Sequence, residues 1–180
     1  MIQMPTLRRA LAAALLLFCG SRALAEVPTK HDALAAIAVL ERTVVGPEAA
    51  DAAKTIVTYA QVSDDVMVDI GPDEVPWVDE KWGIGKDAEL SGQSMLLAAF
   101  IAGNVRSQIK NDRAEDDTYS GWLFAIDAYN RLRAKNPFRS PSIDSLSKME
   151  SGGTLLQHAK DVQSKEEQEA PADAQKKPFA

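Results

Sequence analysis

Apolar residues recur at three- and four-residue intervals along most of this chain, the spacing that lines one side of an α-helix. In VPTKHDALAAIAVLERTVVGP, Leu34, Ile37, Leu40 and Val44 keep that spacing. Thr29 stands where an N-cap belongs, Asp32 is its reciprocal partner three residues on, and Gly46-Pro47 stops the segment. A second helix starts with Pro47 in its first turn, with Ala49, Ala52, Ala53, Ile56, Val57 and Ala60 as its apolar face. The period then changes. In DDVMVDIGP, Val66, Val68 and Ile70 alternate with Met67 and Asp69, the two-residue period of extended backbone. A lone strand has no ladder partner, so the segment is expected to be extended without forming a sheet.

Helical spacing returns after the tryptophan-containing stretch EVPWVDEKWGIG. A third helix, about Ser91 to Lys110, holds the most apolar run, SMLLAAFIAGNVRSQI. Its small residues Ala98, Ala99, Ala102 and Gly103 would let a neighbouring helix come close. A charged connector, KNDRAEDD, leads to a fourth helix from about Thr118 to Lys135, with Trp122, Ala125, Ile126, Tyr129 and Leu132 inward and Asn136-Pro137 at its end. Ser140 and Pro141 open a fifth, carrying Ile143, Leu146 and Met149, while Gly152-Gly153 breaks or ends it before TLLQHAKDVQ. From Ser164 onward the chain lacks apolar spacing and reads as a disordered tail. The pattern therefore predicts an all-α fold. About five helices form two antiparallel hairpins plus a C-terminal helix, with the extended Trp-containing loop between the hairpins. The organisation is 1–25 signal peptide, 26–163 helical domain and 164–180 tail.

The third and fourth helices resemble one tetratricopeptide-type hairpin. AAFIAGN ends in the small residues and glycine of such a unit's first helix, and AIDAYNRLRAKNP places Ala125, Tyr129 and Pro137 at the family's offsets. The connector is about ten residues longer than that repeat allows, and no second copy follows. The likeness covers under a third of the chain. It implies a helical scaffold that binds a peptide or protein without catalysis.

The N-terminus changes the picture of where the domain works. Arg8 and Arg9 precede an 11-residue apolar run, Ala10 to Gly20, and Ala23-Leu24-Ala25 offers the small-x-small site of a signal peptidase. That run is short of the roughly 20 residues of a membrane span. Cys19 follows Phe18 where a lipidation site wants a small residue, so a cleaved signal is expected instead of a lipid anchor. Cleavage after Ala25 leaves 155 residues, with 17 basic against 26 acidic side chains and a net charge of −9. Such a charge disfavours nucleic acid and anionic membrane surfaces as partners. The only cysteine leaves with the signal, so the mature domain must hold together by apolar packing. With no Asn-x-Ser/Thr site, these features suit a periplasmic or secreted bacterial protein.

Catalytic signals are thin. Ser107/Lys110 and Ser145/Lys148 match Ser-x-x-Lys, but the companion motifs of a serine acylase are missing. His31 and His158 lack the paired spacing of a zinc site. Asp64, Asp65, Asp69, Asp73, Glu74, Asp79 and Glu80 match no calcium loop, and read as solubilising charge. No catalytic, metal or cofactor residue is expected. Asn104, on the apolar third helix, needs partners for its amide if buried and is expected to find them in a helix–helix hydrogen bond.

The candidate partner-binding residues are Trp77, Trp82, Asp79 and Glu80. Either the two indoles close the end of the helical core while Asp79, Glu80 and Lys81 face water, or the same aromatics line a groove for a ligand. A disulfide-free domain of this size needs its aromatic area inside, which favours closure. The function expected is non-catalytic: binding a protein or peptide in the cell envelope, as an adaptor, chaperone-like factor or inhibitor. The rival readings are a hydrolase or transferase using carboxylates near the tryptophans, and a purely structural envelope component.

Overall fold

The computed structural model describes residues 27–169, with side chains as far as residue 165. The expected signal peptide, 1–25, and the last eleven residues of the expected tail lie outside the described residues. Among the described residues, six helices account for the regular structure: α1 (Lys30–Arg42), α2 (Pro47–Val62), α3 (Lys86–Asn111), α4 (Thr118–Arg133), α5 (Pro141–Ser151) and α6 (Leu155–Glu169). No strand occurs among the described residues, and no helix there is long and apolar enough to cross a membrane.

Local chemistry sets the helix ends. At α1 the Thr29 hydroxyl accepts from the Asp32 N–H, and the Asp32 carboxylate accepts from the Thr29 N–H, so two orphan donors are satisfied reciprocally. Gly46 precedes α2 with φ +87°, a conformation that a side chain would resist, and Pro47 then starts the helix. Asp117 and Ser140 cap α4 and α5 by accepting from Ser120 N–H and Ile143 N–H.

Three boundaries differ from the sequence expectation. Helix α3 begins at Lys86, five residues before Ser91, because Asp87 and Glu89 give its first turn the acidic charge that a helix N-terminus favours. The break at Gly153 (φ +73°) is complete, so TLLQHAKDVQ belongs to a sixth, separate helix and the expected five become six. That helix continues to Glu169 and so takes in the first six residues of the expected tail, 164–169. Lys, Glu and Gln are good helix formers, and extending an existing helix is easy without an apolar face. A fourth difference lies within α1: Leu34, expected inward, is 39 % exposed, and the buried side is Ala33, Ala36, Ile37 and Leu40.

The core centres on α3 against α4, the most extensive helix–helix contact, followed by α1 against α2. Phe100, Val105, Trp122 and Tyr129 are fully enclosed there. Gly103 brings α3 onto the Ser120 backbone, and Gly121 receives the Phe100 ring. Residues 63–85 cross this core without helix or ladder. In place of a neighbouring strand, the Gln108 side-chain amide pairs with Met67. Its Oε1 accepts from Met67 N–H (2.9 Å) and its Nε2 donates to Met67 C=O (2.5 Å). One side chain thus supplies the two bonds that a ladder would have given.

Candidate functional site

The tryptophan loop is built from both ends. Glu74 C=O accepts from the Trp122 indole at 2.7 Å, which fixes the loop over α4. Trp77 then enters the core with 0 % exposure and meets Phe100 edge-on, ring centroids 6.2 Å apart. Trp82, 7 % exposed, goes elsewhere and stacks on Phe138 at 4.6 Å. The two indoles therefore have separate aromatic partners.

The four sequence candidates have different surroundings. Asp79 is exposed, as is Lys81. Trp77 has no surface to offer. Glu80, expected to face water, instead turns onto the N-terminus of α5. Its carboxylate accepts from Ser142 N–H (2.8 Å), the Ser142 and Ser140 hydroxyls, and the Trp82 indole N–H (3.2 Å). The reason is physical: the unpaired N–H groups at a helix start attract an anion, and a long acidic side chain lies within reach. On the other side of the loop, Glu89 Oε1 accepts from the N–H groups of Trp82, Gly83 and Ile84 at 2.6 to 3.3 Å.

Beside this loop lies an apolar groove of about 490 Å³. Val44, Val45, Gly46 and Ala50 form one side, where α1 turns into α2. Ile84 with Ala88, Ser91, Gly92 and Met95 of α3 forms the floor, and Leu132, Asn136, Pro137 and Phe138 form the far side. Of the sequence candidates, Trp82 is tied to this groove from behind: it stacks on Phe138, and it packs so closely on Gly92 that a Cβ there would lie 2.6 Å from the indole. Sequence reasoning missed the groove itself. The signal was present in Gly46-Pro47 and Asn136-Pro137, read only as helix stops, since two chain corners that cannot continue as helix leave room where they meet.

A second feature is polar. Asn104, fully buried, donates to Asp116 Oδ1 at 2.6 Å and accepts from Gln108 Nε2 and Asp117 N–H. Its amide is thus used in holding α3 to the start of α4. Asp116 also accepts from Asp69 N–H, Thr118 Oγ1 and Gln163 Nε2, so one carboxylate gathers the loop, α4 and α6. A shallow depression of about 220 Å³ overlies this network, lined by Ser107, Asn111, Arg113 and Glu115 among others. The Ser107 hydroxyl donates to Asp117. Among the described residues, no group of three or more His, Cys, Asp or Glu side chains is arranged to hold a metal ion.

Near the groove's far side, Tyr129 Oη donates to Asp144 (3.0 Å) and accepts from Ser140 N–H (3.0 Å), while Arg139 makes two hydrogen bonds to Asp144. Burial pushes the Asp144 carboxyl up, but the hydrogen bonds from Arg139 and Tyr129 and the charges of Arg139 and Arg133 outweigh it and leave it below the usual carboxylate range. Burial raises the Tyr129 phenol, and the Asp144 contact adds to that, against a lowering by the Ser140 N–H. No protein-family model, curated protein or solved structure matches this chain.

Proposed function

We propose that the chain is an exported, non-catalytic binding domain that receives an apolar segment of another polypeptide of the cell envelope in this groove. One observation carries the reading: none of the thirteen residues lining a 490 Å³ groove is ionisable. Such a surface rewards the burial of apolar side chains and offers no group to move a proton. The carboxylates of the tryptophan loop, on which an enzyme reading would rest, are used apart from one another. Glu80 caps α5, Asp73 meets Lys165, and Asp79 is exposed. The architecture we propose for this task is two helical hairpins, α1–α2 and α3–α4, with the tryptophan loop between them and α5 and α6 following. The likeness of α3–α4 to a tetratricopeptide-type hairpin supports the same reading, and the N-terminal signal pattern supports a partner in the envelope.

A photo-crosslinking residue at Ala88, exposed on the groove floor, tests this in the intact envelope, with one at Lys160 on α6 as control. The expected result is a discrete adduct from Ala88, none from Lys160, and its loss when Ala50, also exposed in the groove, is changed to Glu. Equal labelling from both positions, or an adduct that survives Ala50→Glu, would overturn the reading.

A further inference from the structure

The two sides of the groove are joined through one short stretch of the tryptophan loop, residues 80 to 84. Two carboxylates hold it. Glu89 belongs to α3 and takes the backbone N–H groups of Trp82, Gly83 and Ile84, which binds the stretch to the groove floor. Gln93, also on α3, donates to Glu80 C=O at 2.7 Å and so fixes the backbone from which Glu80 departs. The Glu80 side chain then reaches across to Ser140 and Ser142 at the start of α5, Ser140 standing two residues after Phe138 of the opposite side. Trp82 reinforces the crossing by stacking on Phe138 while donating to the same carboxylate.

We propose that Glu80 is a positioning residue that sets the width of the groove by tying the start of α5 to the tryptophan loop. The effect on ligands rests on the binding reading above; the tie itself does not. The four groups facing the carboxylate, Ser142 N–H, two serine hydroxyls and the Trp82 indole, can all donate, and the N–H groups can do nothing else. Only a group that accepts on both oxygens and donates nothing satisfies them together, and the helix N-terminus adds its attraction for negative charge. Glutamine has the same length and shape but would present an amide NH₂ to donors. The amide variant therefore separates charge and acceptor capacity from bulk.

The test is hydrogen exchange on the mature chain carrying Glu80→Gln, with Ser142→Ala as a milder second variant, and no ligand present. Amides at 138–140, 142–143 and 82–84 are expected to exchange about tenfold faster or more, as the loss of a charge-assisted hydrogen bond implies, while the α3–α4 core keeps its protection. An unchanged pattern, or acceleration shared equally by the core, would overturn the proposal. In parallel, titration with the apolar fluorophore N-phenylnaphthylamine is expected to show several-fold weaker uptake by Glu80→Gln than by wild type. Wild-type protein that takes up no probe at all would count against the binding reading alone, since the exchange pattern still decides the tie.

Discussion

Replacing Gly103 with Ala puts one methyl group at the closest point between α3 and α4. The new Cβ would sit 2.3 Å from Ser120 C=O oxygen, 2.8 Å from Phe124 Cβ and 2.9 Å from Ser120 carbonyl carbon. Two of these three neighbours are backbone, so no side-chain rotation relieves the contact and the helices themselves must separate. Overpacking of this kind costs about 1–3 kcal/mol, and rigid neighbours place it at the upper end. Alanine recovers about 1 kcal/mol, because glycine is a poor helix interior residue. The net expectation is a loss of about 2 kcal/mol, or about 4–8 °C in melting midpoint for a chain of this size. Gly152→Ala is the control: its Cβ would meet Lys148 C=O at 3.2 Å and Met149 C=O at 3.8 Å, at an ordinary φ of −83°. Thermal and denaturant melts of both variants read the difference directly. If Gly103→Ala melts at or above the wild-type midpoint, propensity alone governs the site, and the close α3–α4 approach is wrong.

Four further outcomes are expected. Trp77→Ala should cost about 3–5 kcal/mol in denaturant melts, as large buried aromatics do, while residual folded protein keeps its partner; an unchanged midpoint with lost capture would make Trp77 a ligand contact. Trp77→Phe should cost less than Trp77→Ala, because it keeps most of the buried aromatic area and gives up only part of it together with an indole N–H that has no hydrogen-bond partner among the described residues. The low-lying Asp144 carboxyl binds its proton less readily in the folded than in the unfolded chain. Its contribution is therefore present above the ordinary carboxylate value of about 3.9 and lost as pH falls through the lower folded value. Asp144→Asn should be less stable than wild type at pH 7, and the two should converge in acid melts; a constant gap would show that the Arg139 pair carries no linkage. Gln108→Ala strands both Met67 backbone groups, for about 1–3 kcal/mol, and should speed amide exchange at 66–70 more than anywhere in α3.

Helix existence was legible because it rests on local signals. The Thr29 box, Pro47, Ser140 with Pro141, and the periodic apolar positions each act within a turn or two of sequence. The all-α class follows from them. The start of α3 was not legible, because its first turn, KDAEL, has little apolar spacing and owes its place to Glu89 capturing the loop behind it. The inward side of α1 was misjudged because alanine carries little apolar signal, yet its small size is what lets Ala33 and Ala36 lie against a neighbour. At the site, the aromatic content of the loop could be read, but the destination of Glu80 could not: Ser142 lies 62 residues away in sequence. The groove was harder still: Gly46-Pro47 and Asn136-Pro137 mark its two corners in the sequence, but tertiary packing decides that these corners face one another.

The crossing of residues 63–85 over the helices also fixes an order of assembly. Asn104 and Asp116 are 12 residues apart, so the α3–α4 contact closes a small loop at low entropic cost. Met67 to Gln108 spans 41 residues, Glu74 to Trp122 spans 48, and Glu80 to Ser142 more again. These ties can form only after the helices that carry their far ends are in place. Substitutions at the α3–α4 seam should therefore slow refolding, whereas those at Gln108 or Glu80 should leave the refolding rate alone and hasten unfolding. On this order the loop would close last and open first, which would give the side that carries the proposed groove the shortest lifetime in its closed form.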